Sequence, residues 1–327
     1  MAHELSIRQD GFVEMAFTGR RDAIWHSLGN ELEADAPISK WKTQAGMDWT
    51  AEESNVSFIA GIDDPTKKFK TFPKRKVLYR SDTLEPLSIV GSGFNVVQPG
   101  EVLEFFKDLV GEHGMTLSTA GCLFGGRRFW ALAETGNSTE VVTGDVVKSF
   151  ILLTTALDGT LATTAKTVAT RVVCNNTLTV AMGEAVGRQS RVSHRNVFDP
   201  RAVMLDMKLI DTAWDAFMKN IKKMADTPMT VATADEFFRE SFFNHEFDAE
   251  HQPQSNINRV KSLNQKFITG VGSEFHAETV WGALNAITEE FTHGSGRRSA
   301  SSQFCESLLG QSDAIKNRAY RNLLELV

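Results

Sequence analysis

The chain has 327 residues, 42% of them hydrophobic, and a formal net charge of -6, which is enough apolar content for one large core or two ordinary ones and argues against disorder. No apolar run is long enough to span a bilayer, and Met1 to Phe17 carries acids without a signal-peptide stretch, so a cytoplasmic protein of a bacterial host cell is expected, with no membrane partner. The three cysteines, Cys122, Cys174 and Cys305, are odd in number and far apart, which suits reduced thiols, and the missing C-x-x-C pair excludes an ordinary zinc site.

In chain order, residues 1–70 read as a polar, turn-rich lead whose aromatics Phe12, Phe17, Trp25, Trp41, Trp49 and Phe58 pack short elements onto a main domain. Alternation begins near Lys76: Val77 and Tyr79 mark a strand, Ser81 to Pro86 a turn, and Leu87 to Val97 a second strand interrupted by Gly91 and Gly93. Pro99 and Gly100 lead into a helix with Val102, Phe106, Leu109 and Val110 at helical spacing. Met115 to Leu123 and Phe129 to Ala133 predict strands joined through Phe124, Gly125, Gly126 and Arg127. Lys148 to Leu157 and Thr160 to Thr170 form a further pair around Asp158-Gly159, the strongest hairpin signal in the chain. From Arg171 to Met182 the pattern turns helical.

Beyond residue 196 the character changes. Asp199 caps a helix with Pro200 at its first position, and Val203, Met207, Ile210, Trp214, Phe217, Ile221 and Met224 form a heptad seam, expected to close an intramolecular bundle. Thr233 with Glu236 reads as a capping box, and further helices are expected at Ile257 to Ile268, Glu278 to Thr292 and Asp313 to Leu326. The expected architecture is therefore α+β: an antiparallel β-sheet with β-hairpins and packed helices over residues 71–195, followed by a helical region over 196–327.

Charge is uneven along this frame. Residues 1–70 carry 8 basic and 12 acidic side chains, residues 71–195 carry 13 and 11, and residues 196–327 carry 14 and 18. Within the net-positive middle, Lys166, Arg171, Arg188, Arg191 and Arg195 face the single acid Glu184 between residues 165 and 195, the pattern expected of phosphate contacts or of a solvated surface. Arg127 and Arg128 stand just before Phe129 and Trp130, pairing cations with a ring on which a base stacks, although alternation turns one of the two rings inward. Asn175 either caps a helix or touches a base or phosphate.

Enzymatic motifs are missing. No phosphate-binding G-x-x-x-x-G-K-[ST] loop and no G-x-S-x-G elbow occurs, and the His245, Glu246, Asp248, Glu250 and His251 cluster has no ligand spacing of a known metal motif. No cofactor and no covalent catalysis are expected.

Several segments together resemble the phage/plasmid-like protein family, a domain of unknown function (932): Trp25 to Gly29, Tyr79 to Asp82 with Leu87 to Pro99, Gly125 to Arg128 with Trp130, Asp158 to Thr160, and the run Arg171 to Leu178. The resemblance implies a mobile-element origin and a role in element DNA metabolism. The strand, hairpin and helix order is also similar to the core of single-strand annealing recombinases, an analogy of topology. The leading expectation is a single-stranded DNA-binding and annealing protein, a homo-oligomer or a partner of host or phage recombination proteins, using Arg127, Arg128, Trp130, Lys166, Arg171, Asn175, Arg188, Arg191 and Arg195. The alternative is a non-enzymatic regulatory protein that binds a host protein through its helical region.

Overall fold

The computed structural model describes residues 7–8, 10–19, 29–61, 68–172, 177–179, 189–207, 210–244, 251–293 and 306–327. Its centre is an eight-stranded sheet built from β1 (Met15–Thr18), β2 (Asn30–Leu32), β6 (Thr116–Leu123), β7 (Arg128–Val142), β8 (Asp145–Ala156), β9 (Thr163–Arg171), β10 (Thr177–Thr179) and β11 (Gln189–Val192). The order is β10-β9-β8-β7-β6-β1-β2, with β11 also on β9. Only β1 and β2 run parallel; all other pairs are antiparallel. A second sheet of three strands, β3 (Ala51–Ala60), β4 (Lys68–Arg80) and β5 (Pro86–Gly91), stands beside it in the order β3-β4-β5.

Helices cover both faces of the large sheet, which explains why its strands bury consecutive residues instead of alternating. On one face α1 (Ile38–Gln44) and α2 (Pro99–His113) contribute Trp41, Val102, Phe105 and Phe106 to a core with Phe129, Ala131, Leu153 and Ala165. The α2 start follows its sequence: Pro99 is at the first position and Gln98 and Glu101 cap reciprocally. The helix α3 (Pro200–Met207) joins this core through Val203, and α4 (Ile210–Asp226), α5 (Val231–Phe242), α6 (Gln254–Thr269), α7 (Val280–His293) and α8 (Gln311–Leu324) form a bundle that takes in Val147 and Ala169 further along the strands. Of the expected heptad seam, Trp214, Phe217, Ile221 and Met224 pack inside this bundle with Tyr320, Leu284 and Val147, whereas Val203 packs in the core of α1 and α2. A helical turn at 306–309 places Leu308 against Met15, Phe17, Trp130, Leu152 and Val168.

The architecture is α+β, with an antiparallel sheet followed by helices. Three local readings differ. Arg171 ends β9 and residues 177–179 form β10 on the same strand, so a continuous helix from Arg171 to Met182 does not form; the β-branched Thr177 and Thr179 suit that edge. Thr230, not Thr233, caps α5, its hydroxyl accepting from the Thr233 amide at 3.2 Å. The boundary expected at residue 70 falls inside β4.

Candidate nucleic-acid interface

The Asp158-Gly159 hairpin is present and shapes one end of the large sheet. Thr154 pairs with Thr164, Gly159 takes φ 75°, and the Asp158 carboxylate accepts from the Thr160 amide at 2.9 Å and its hydroxyl at 2.5 Å. Arg128, half-buried at the start of β7, donates from Nη2 to the Thr160 hydroxyl at 3.0 Å and lies 5.5 Å from the centre of the Phe124 ring. Arg127 is exposed, its Nε donating to the Phe124 carbonyl at 3.0 Å. Arg191, opposite Thr164, and Arg195 are also exposed. Four of the nine expected contacts therefore share this hairpin end. Asn175 and Arg188 lie outside the described residues, as do Trp25 to Leu28 of the resemblance and His245 to Glu250 of the metal-like cluster.

Three expected contacts are structural instead. Trp130 is 1% exposed among Phe17, Leu152, Val168 and Leu308, and its Nε1 donates to the Thr119 hydroxyl at 3.3 Å. Phe129 points to the opposite face and is equally buried, because both sides of the sheet are covered; the inward ring of the alternation argument is accompanied by a second inward ring. Lys166 is 1% exposed and donates to the Leu308 carbonyl and to Asp313 at 2.9 Å, tying β9 to the C-terminal helix. Burial lowers its pKa and Asp313 opposes the shift.

Arg171 is 2% exposed. Its Nε donates to Asp145 Oδ1 at 2.5 Å, Nη1 to the Val271 carbonyl at 3.2 Å and Nη2 to the Gly272 carbonyl at 2.9 Å, while Trp281 Nε1 donates to Asp145 Oδ2 at 3.0 Å. The first residue of the Arg171 to Leu178 run thus locks the sheet to the helical bundle. His194 is buried too: Nδ1 stands 3.0 Å from the Asn95 carbonyl, Nε2 3.1 Å from the Leu161 carbonyl, and the ring stacks on Phe94 at 4.2 Å. It holds the hairpin end to the segment before α2.

The most accessible cationic and aromatic surface lies elsewhere, on a hairpin arm formed by β3 and β4. Residues 67–76, Lys-Lys-Phe-Lys-Thr-Phe-Pro-Lys-Arg-Lys, contain six cations and no acid. From Glu52 outward, and back to Arg75, every described residue of the arm is exposed or half-exposed. Ten residues of β3 at ~3.3 Å per residue make a ribbon about 30 Å long. Its outer half pairs Ser57 with Thr71, Phe58 with Lys70, Ile59 with Phe69 and Ala60 with Lys68. Residues directly opposite share a face, so one face presents Phe58, Lys68 and Lys70 and the other Ile59 and Phe69. Phe69 is 79% exposed, and Phe58 and Phe72 are each nearly half exposed.

Between the halves, the register shifts where Phe72 to Arg75 bulge out, with Lys74 at φ 59° and its carbonyl accepting from the Ser92 amide at 3.2 Å. Lys68, Lys70, Lys74 and Arg75 make no ion pair among the described residues, whereas Lys76 meets Glu53 at 2.6 Å. At the root, Arg80 anchors the arm: its guanidinium meets Glu14 at 2.7 Å and Asp82 at 2.8 Å and lies 4.4 Å from the centre of the Trp49 ring. Gly126 allows this approach, since a Cβ there would stand 2.7 Å from Trp49 and 3.0 Å from Arg80.

Among the described residues no cluster of three His, Cys, Asp or Glu side chains has the geometry to hold a metal, and no helix is long and apolar enough to cross a membrane. Cys122 is fully buried; burial, then the nearby Glu14, push its thiol well above the ordinary range.

The profile of a family described as a domain of unknown function (DUF932) matches residues 86–309, and the chain belongs to that family. The matched span begins at β5, so the β3–β4 arm precedes it. No curated protein and no solved structure gave a match.

Proposed function

We propose that the protein binds single-stranded DNA and promotes annealing, as a non-enzymatic component of a phage or other mobile element in the host cytoplasm. The observation that carries this reading is the arm: unpaired Lys68, Lys70, Lys74 and Arg75 interleaved with exposed Phe58, Phe69 and Phe72. Cations neutralise phosphates while flat rings accept unstacked bases without sequence preference, a combination that suits single strands over duplex. Arg127, Arg128, Arg191 and Arg195 at the hairpin end supply a second set of accessible cations. The net charge of -6 confines attraction to such local patches, which makes binding steeply salt-dependent.

The test is a salt series of oligonucleotide titrations on wild type and on a variant carrying Lys68→Gln, Lys70→Gln, Lys74→Gln and Arg75→Gln. Each lost phosphate contact flattens the logarithmic salt slope by about 0.7 for a single strand, so four together flatten it by up to about 3. Unchanged affinity in the variant, or no wild-type binding at low salt, overturns the assignment.

A further inference from the structure

The arm has a backbone edge as well as side-chain faces. In the three-stranded sheet β4 is central only from Arg75 to Tyr79, where β5 pairs with it; the outer half of the arm is a two-stranded ribbon with β3 on one edge and β4 on the other. The β5 edge lies against the large sheet, where the Ser88 hydroxyl donates to the Leu157 carbonyl at 2.5 Å. Among the described residues no strand pairs with the free edge of β3, and Ser57, Phe58 and Ile59 along its outer half are all exposed. An open edge is a row of unmade backbone hydrogen bonds, and solitary proteins guard such rows with lysine, proline or short strand length. Here the guards stand on one edge of the ribbon only. Ala51–Ala60 contains no Lys, Arg or Pro and is ten residues long, while Lys68, Lys70, Pro73 and Lys74 all stand on the β4 edge, beyond the stretch that β5 pairs with.

We propose that β3 pairs edge to edge with β3 of a second copy of this chain, antiparallel about a two-fold axis. Charge selects this occupant and this direction. The root of β3 carries Glu52 and Glu53, and its tip is flanked by Lys68 opposite Ala60 and Lys70 opposite Phe58. Antiparallel pairing brings the acidic root of each copy towards the cationic tip of the other, whereas parallel pairing sets the acids of one β3 beside those of the other. The contact is isologous and closes at two copies. The two three-stranded sheets then form one continuous sheet of six strands.

Opposed residues in an antiparallel ladder share a face, so Phe58, Lys68 and Lys70 of both copies emerge on the same side. That consequence, a doubled cationic and aromatic face, rests on the DNA-binding reading; the pairing itself does not.

The test uses full-length protein without nucleic acid. Sedimentation velocity over a concentration series is expected to show wild type passing from monomer to dimer, and Ser57→Lys with Ile59→Lys, which restores guards to the edge at exposed positions, remaining monomeric with an unchanged melting temperature. Hydrogen exchange at β3 amides is expected to slow as wild-type concentration rises while β5 amides do not change. A wild type that stays monomeric, a variant that dimerises equally well, or β3 exchange independent of concentration overturns the proposal. Parallel oligonucleotide titrations separate the two ideas: a dimer that binds no DNA sinks the DNA reading alone, and a monomer that binds DNA sinks the pairing alone.

Discussion

Arg171 Nε and Asp145 Oδ1 lie 2.5 Å apart in a site where both side chains are almost fully buried. Two backbone carbonyls from the segment after α6 and the Trp281 indole complete their hydrogen bonds. A buried pair of this kind is costly to break from one side, because the remaining charge stays in a poorly solvating interior. Arg171→Ala or Asp145→Ala is expected to lose about 3–5 kcal/mol in denaturant unfolding, with the double variant losing less than the sum. Additive losses would show that the two groups do not act as a unit.

Lys166 gives a sharper contrast between fold and function. Lys166→Met is expected to cost about 1–3 kcal/mol by removing the hydrogen bonds that Lys166 gives to Asp313 and the Leu308 carbonyl, while oligonucleotide affinity stays at the wild-type value. A stable Lys166→Met protein with weakened binding would restore this residue to the interface.

Phe69 is the reverse case. Phe69→Ser removes no buried contact, so the melting temperature is expected to hold; a lost base–aromatic stack weakens single-strand affinity by about 1–3 kcal/mol. Equal affinities for wild type and variant would leave the arm with cations alone.

His276 sets a pH dependence. Its ring is buried with neither nitrogen hydrogen-bonded among the described residues, and burial, with the Arg171 charge second, brings its pKa from 6.5 down to about 4. The unfolded chain takes up this proton below the ordinary value and the folded chain only near 4. The stabilising contribution is therefore complete above pH 6.5, falls progressively below it, and is lost by pH 4, in all about 3 kcal/mol. His276→Leu is expected to flatten that part of the stability profile; an identical profile in the variant refutes the assignment.

Cys122 is predicted to resist alkylation in the folded protein and to react only on unfolding, read by mapping the modified peptide at increasing denaturant. Its thiol donates to the Gly46 carbonyl at 3.3 Å and has no path to solvent. Labelling at the rate of a free thiol would contradict the packing.

The parts of this fold legible in sequence are those where local chemistry decides. Asp158-Gly159 announces its turn, Pro99 starts a helix, and Trp214 to Met224 repeats at the spacing of a packed seam. The site was less legible because charge along the chain does not report depth. Lys166 and Arg171 look like members of a basic run, yet Asp313 and Asp145, distant in sequence, draw them into the interior. Trp130 follows the same logic, since only the C-terminal residues decide whether its face of the sheet is covered. The arm escaped for the opposite reason. Exposed strands need no apolar alternation, and the outer half of β3 and β4 shows none; the available signal was the six-cation run with Phe69 and Phe72, which a boundary at residue 70 cut in two.

The closure of that covered face has a consequence for how the chain is made. Leu308, Asp313 and the helix around them leave the ribosome long after their partner Lys166, which precedes Asp313 by 147 positions. During synthesis Trp130, Leu152 and Val168 lack the cover that Leu308 gives them, an adhesive state that persists until that segment emerges. Nascent chains stalled or truncated before residue 306 should therefore recruit chaperones or precipitate, and release from them should coincide with arrival of α8.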